Sequence, residues 1–202
     1  LKYEFIQKRT IAFEWRDNLS ITNKLLLTFA MAVLTGILAQ VKIFLPFTPI
    51  PITGQTFAVL LSGILLGKYW GGASQLFYVA LGVIGLPWFS DLSGGMSVLL
   101  GPNGGYLIGF ILASTLIGYI SDKFSKMRNL IPMLIIMLIA NFALIYIPGL
   151  LQLNFWFKSA LSQNLSFTKL LSIGALPFLA GDILKIVFAA GIASVILPKE
   201  KK

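Results

Sequence analysis

The 202-residue chain contains no cysteine and no histidine, and only seven of its residues are acidic. Without cysteine there are no disulfides and no thiolate chemistry. With histidine missing as well, the usual transition-metal sites lose their main ligands. Charged residues of either sign make up only 11% of the chain. Hydrophobic residues reach 57%, and the mean hydropathy is +0.87. A soluble domain of this length cannot bury so much apolar surface, so the expected solvent is lipid. The formal charge of +9 does not point to nucleic acid. The basic residues flank apolar segments instead of gathering on a polar face, and that pattern sets membrane orientation.

A membrane-spanning helix takes roughly 20 mainly apolar residues. Six such segments are expected within one membrane domain, at about 24–45, 52–67, 71–86, 104–120, 129–147 and 174–197. The fold class is therefore an all-α integral membrane protein with six transmembrane helices. The second and third segments are short for a full crossing; they would meet the interface obliquely or thin the bilayer locally. Residues 1–20 mix Phe5, Ile6, Phe13 and Trp15 with Lys8, Arg9 and Arg16, a composition suited to the headgroup level. No cleavable signal is expected ahead of the first span.

Twelve lysines and arginines fall on one side of this arrangement and three on the other, with Lys185 inside the sixth span. The richer side carries both termini, which the positive-inside bias assigns to the cytoplasm. Three connections are then extracellular. PFTPIPIT (Pro46–Thr53) is stiffened by three prolines. PWFSDLSGGMSVLLGPNGG (Pro87–Gly105), between the third and fourth spans, has two glycine pairs and no basic residue; a loop that long suits a lid. The third, over about 149–173, looks amphipathic and interfacial.

The sixth span, GALPFLAGDILKIVFAAGIASVIL, holds Asp182 and Lys185 near its middle. Three residues apart, they share a helical face. A charge at mid-bilayer costs about 2.5–3.5 kcal/mol on insertion scales. Two readings stand: a self-neutralising structural pair, or an acid and a base lining a wet cavity for a ligand with both N–H donors and an acceptor oxygen. Gln40, Gln55, Gln75 and Asn141 are uncharged polar residues in or beside spans, where bonding across helices is enough to account for them. Gln55 follows the proline loop, and Ser93, Asn103 and Tyr106 sit in or just after the long loop. The first span carries Ala32-xxx-Gly36 and Thr35-xxx-Ala39, a small-residue face that permits close helix contact, with either a separate docking partner or a neighbour inside the bundle. Gly63-Ile-Leu-Leu-Gly67-Lys68-Tyr69 mimics a phosphate loop but has one residue too few between its glycines and tyrosine in place of the hydroxyl. No ATP site is expected in this chain.

Five ordered motifs, PFTPIPITGQT, LLSGILLGKYWG, YVALGVIGLPWF, SGGMSVLLGPNGGYLIGF and LPFLAGDILK, together resemble the BioY family. These are the biotin-specific substrate-binding components of energy-coupling-factor transporters. The resemblance runs from the first span to Leu197. It implies a multi-pass subunit of the bacterial cell membrane, not an enzyme and without a cofactor, that captures biotin from outside. It further implies partners: a transmembrane coupling protein and two cytoplasmic ATPases. With a coupling protein implied, the small-residue face of the first span is its expected docking surface. Asp182 and Lys185 match the family's acid and base expected at the ureido ring. Ser93 matches a polar position also expected near that ring, Tyr106 matches the tyrosine after the glycine pair, and Gln55 matches the glutamine after the proline loop. Asn103 lies in the same loop, and Trp88, Phe89 or Tyr106 would cover the rings. Some relatives carry arginine directly after the tyrosine, where this chain has Leu107. Competing readings are a component for a different vitamin, an ATP-independent carrier or channel gated by the charge pair, and an intramembrane enzyme with Asp182 as base.

Overall fold

The computed structural model describes residue 16 and residues 18–198, so the segment expected at the headgroup level lies mostly outside the described residues. Helix α1 (Ile21–Gln40) opens at Ser20, whose Oγ accepts the amide of Asn23 and so caps one of the orphan N–H groups of the first turn. Two short strands follow, β1 (Lys42–Ile43) and β2 (Ile52–Thr53), paired antiparallel with Lys42 opposite Thr53. They close the proline loop at its base.

Helix α2 (Gln55–Val83) consists of two helical arms joined at a kink, because Gly67 adopts φ 78°, ψ −173°. Contacts between its arms show a hairpin. The Gln55 Nε2 donates to the Tyr78 hydroxyl at 2.7 Å, and the Gln75 Nε2 donates to Ser62 Oγ at 3.1 Å. A Cβ at Gly71 would lie 2.8 Å from the carbonyl oxygen of Ser62. The bend needs glycine twice over: the φ is left-handed, and a side chain there would strike the carboxylate of Asp122. That carboxylate accepts the Lys68 amide at 3.0 Å and caps the returning arm.

The long loop contains a 3-10 turn (Ser90–Leu92) and short helix α3 (Met96–Leu100). Helix α4 (Gly104–Lys123) packs along both arms of α2; a Cβ at Gly118 would lie 2.5 Å from the Lys68 amide nitrogen. Helix α5 (Leu130–Ile139) runs through a widened π turn (Ala140–Ile145) into α6 (Tyr146–Ala160). The sequence expectation put a span at about 129–147 and a connector over about 149–173; the helix itself continues without interruption to Ala160. Helix α7 (Phe167–Gly174), a 3-10 turn (Leu176–Phe178) and α8 (Leu179–Ile196) complete the chain.

Among the described residues, four helical stretches are long and apolar enough to cross a membrane: Ile21–Gln40, Gly104–Lys123, Leu130–Ala160 and Phe167–Ile196. Their outward faces are apolar. On α8, Ile183, Leu184, Val187 and Phe188 are exposed, while Asp182 is buried. A soluble protein would not present such faces to water, and the arrangement suits a bundle solvated by lipid.

Candidate functional site

The break before α8 changes the position of the charge pair. Read as one span, the segment puts Asp182 near its middle; in the structure Asp182 falls in the first turn of α8, after a turn containing Pro177. There the unpaired amides and dipole of a helix start favour a negative charge. Lys185 follows one turn later, and its Nζ lies 2.8 Å from Asp182 Oδ1.

Both groups are fully bonded. Asp182 Oδ1 accepts from Lys185 Nζ and from Thr56 Oγ1 at 3.0 Å. Its Oδ2 accepts from Asn141 Nδ2 at 2.9 Å and the Tyr146 hydroxyl at 2.7 Å. Lys185 spends its other two N–H bonds on the carbonyl oxygen of Thr53 at 2.7 Å and on Thr56 Oγ1 at 2.9 Å. A carboxylate offers about four lone-pair sites and an ammonium three donors, so the pair is saturated. This is what makes a carboxylate only 3% exposed tolerable in an apolar bundle.

The pair also lines a cavity holding about 680 Å³ of free space, its open mouth included. Apolar walls come from Ile52, Phe89, Val98, Leu107, Phe110 and Phe178, and polar atoms from Thr53, Gln55, Ser93, Asn103, Tyr106 and Tyr146. Of the site residues expected from sequence, Asp182, Lys185, Ser93, Tyr106, Gln55 and Asn103 are brought together here. The Tyr106 hydroxyl donates to the carbonyl of Gly174 at 2.7 Å. Ser93 Oγ donates to the carbonyl of Ser90 at 2.6 Å.

Trp88 is elsewhere. Its indole N–H donates to the carbonyl of Tyr78 at 2.9 Å, and its ring covers Gly36 of α1, where a Cβ would lie 3.1 Å from Trp88 Cβ. The small-residue face of α1 is likewise turned inward: Ala32, Thr35 and Ala39 are fully buried and Gly36 is buried beneath Trp88. Thr35 Oγ1 accepts from Gln75 Nε2 at 3.2 Å. Close approach does occur at this face, but the element that approaches is the second arm of α2, not a separate protein.

The long loop is fastened over the cavity. Gln40 Nε2 donates to the carbonyls of Trp88 and Phe89, at 3.3 and 2.9 Å, while its Oε1 accepts the Leu92 amide at 3.1 Å. Lys42 forms an ion pair with Asp91. The Phe89 ring fills the space left by Gly82, where a Cβ would collide with it.

Thr56, Asn141, Tyr146 and Ser90 were not expected at the site. Asn141 had a signal, an amide in a strongly apolar run, and so did Pro148, a helix breaker inside a helix. Ser90 belongs to the cavity lining, and its Oγ is buried with no hydrogen-bond partner. Asn103, at the start of α4, makes no capping bond with its side chain. Asn141 Oδ1 is likewise buried without a partner, and these are open valences in the site.

The sequence matches the BioY family model over residues 8–202. It is 53% identical over 140 residues to "Probable biotin transporter BioY" of Methanothermobacter thermautotrophicus, covering 69% of this chain and 89% of that protein. It is 38% identical over 151 residues to "Biotin transporter BioY" of Thermotoga maritima, covering 75% and 83%. Among solved structures, the crystal structure of "the S-component for biotin from an ECF-type ABC transporter" superposes with a TM-score of 0.74 at 30% identity, over 86% of this chain and 89% of that one.

Proposed function

The chain belongs to the BioY family, and from that premise we propose that it is the biotin-capturing membrane subunit, the S component, of an energy-coupling-factor transporter. It works with separate membrane and ATP-hydrolysing subunits that supply the energy. Counting the arms of α2 as two passes gives six crossings, and the distribution of lysine and arginine supports cytoplasmic termini.

The observation that carries this reading is the saturated Asp182–Lys185 pair in the wall of an apolar cavity beneath a fastened loop. Biotin brings two ureido N–H groups, a ureido carbonyl, an apolar bicycle and a carboxylate tail. Asp182 Oδ1 would accept a ureido N–H and Lys185 would donate to the carbonyl, each trading a bond it already makes. Exchange of one hydrogen bond for another is nearly neutral in free energy. Affinity then comes from burying the bicycle against Phe89, Tyr106, Phe110 and Phe178, while the polar exchange enforces specificity. Ser90, Ser93 and Asn103 offer polar atoms to the rest of the ligand, and Gln55 holds Thr53 and Tyr78 in place through 2.8 and 2.7 Å bonds. Leu107, only 4% exposed, occupies the wall where some relatives carry arginine, so the tail is assigned to neutral donors around Asn103.

The test is mass spectrometry of small molecules carried through purification, followed by calorimetric titration of the emptied protein with biotin. Biotin in the first and saturable binding in the second are expected. Another vitamin in its place, or no heat with biotin, would overturn the assignment.

A further inference from the structure

The π turn at Ala140–Ile145 has two local causes. Pro148 has no N–H to return to the carbonyl of Leu144, and its ring crowds that oxygen, so the preceding turn opens. The opened turn then needs space on α4, which glycine provides: a Cβ at Gly109 would lie 2.5 Å from both the Leu144 oxygen and Ile145 Cα, and one at Gly105 would strike the carbonyl of Pro148. The groove and the bulge fit each other.

The consequence falls on Asp182. In a regular helix of ~3.6 residues per turn, positions five apart point roughly 140° away from each other. Asn141 and Tyr146 are five apart, and a turn closed by i→i+5 bonds brings such positions nearly into line. Both side chains accordingly end on the same oxygen, Oδ2 of Asp182. The other oxygen, Oδ1, is held by Lys185 and Thr56, which face the cavity.

Resting on the biotin reading above, we propose that the π turn is the fixed half of a two-sided clamp, and that Asn141 and Tyr146 are positioning residues. They hold Oδ2 while the partners of Oδ1 exchange with the ligand. Without that anchor, the carboxylate would follow Lys185 and Thr56 when they rearrange, and the ureido N–H would meet a moving acceptor. Asn141 is fully buried and outside the cavity lining, and its Oδ1 has no partner.

The experiment is a double-mutant cycle on biotin affinity in purified protein: wild type, Tyr146→Phe, Asp182→Asn and the double variant. Tyr146→Phe should weaken binding about tenfold, the usual loss of a buried hydrogen bond to a charge. In the Asp182→Asn background the same change should cost less than about twofold, since the anchored group is already altered. Equal losses in both backgrounds would mean that Tyr146 acts independently of Asp182, by its own contact with the ligand or through the fold, and would overturn the clamp; a loss below about twofold in the wild-type background would give it no role. Where Asp182→Asn binds too weakly to titrate, ureido N-methylated biotin takes its place and deletes the donor from the ligand side. Gly109→Ala is the remote arm: it touches no polar atom of the cavity, and it should lower affinity by unseating the turn. Undiminished affinity there would overturn the role of the groove. Failure of wild type to bind biotin sinks the functional reading instead, so the two failures are distinct.

Discussion

Lys185 Nζ and Asp182 Oδ1 lie 2.8 Å apart across one turn of α8, and neither has an unused bond. Saturation explains how an ion pair persists among apolar helices, and it also makes the pair vulnerable. Deleting one charge leaves the other buried and uncompensated, which costs about 3–5 kcal/mol.

Asp182→Leu alone should therefore lower thermal stability in detergent more than the pair Asp182→Leu with Lys185→Met, which removes both charges and can approach neutrality. Biotin binding should be lost in both proteins. Melting curves and calorimetry on the same preparations separate the effects. A double variant less stable than either single one would show that the pair stabilises the fold beyond neutralising itself.

The loop is held by two fastenings of different worth. Gln40 makes three bonds to loop backbone, two of them partly buried and one exposed, each worth about 1 kcal/mol. The Lys42–Asp91 pair is exposed on its acidic side, and such pairs contribute about 0–1 kcal/mol. Gln40→Leu should accelerate biotin dissociation by at least about tenfold, and Asp91→Asn by no more than about fivefold. Stopped-flow release into excess competitor measures both. The reverse order would mean that the ion pair, not the amide, closes the lid.

Much of this was legible beforehand, because lipid imposes a simple rule on composition. Long apolar runs marked the helices, and an acid and base three apart marked the cavity wall. The return at Gly67 was visible as two segments too short to cross alone. What could not be read were properties that depend on the neighbour. Pro148 announces a disturbed helix, but whether the helix ends or opens a π turn depends on α4 supplying Gly105 and Gly109. Small residues at Ala32 and Gly36 permit close approach without saying which element approaches. Trp88, in a loop rich in binding candidates, was drawn to Gly36 by shape.

At the bend, Gly67→Ala should cost about 1–3 kcal/mol for a non-glycine residue in a sparsely populated conformation, besides displacing the Asp122 carboxylate. Asp122→Ala removes only the cap on Lys68 and the ion pair with Arg16, a loss of about 1–2 kcal/mol. Melting temperatures should fall in that order, with biotin affinity nearly unchanged in Asp122→Ala because the bend lines no part of the cavity. A strong affinity loss in Asp122→Ala would reveal coupling between the two ends of the hairpin.

The inward face of α1 yields the last expectation, and it differs from the one that a docking role for that face implies. Had Ala32 and Gly36 faced a partner, a bulky residue there would leave the isolated subunit intact and only block assembly. With Ala32 fully buried and Trp88 lying against Gly36, Gly36→Leu must push the indole from its place and break its bond to the Tyr78 carbonyl. Overpacking of this kind costs about 1–3 kcal/mol. Because Gln40, one turn further on, holds the loop carrying Trp88, the damage should reach the lid. Purified Gly36→Leu should melt lower and bind biotin more weakly with no other protein present. A variant unchanged in both, yet unable to copurify with its coupling protein, would return this face to the outside of the bundle.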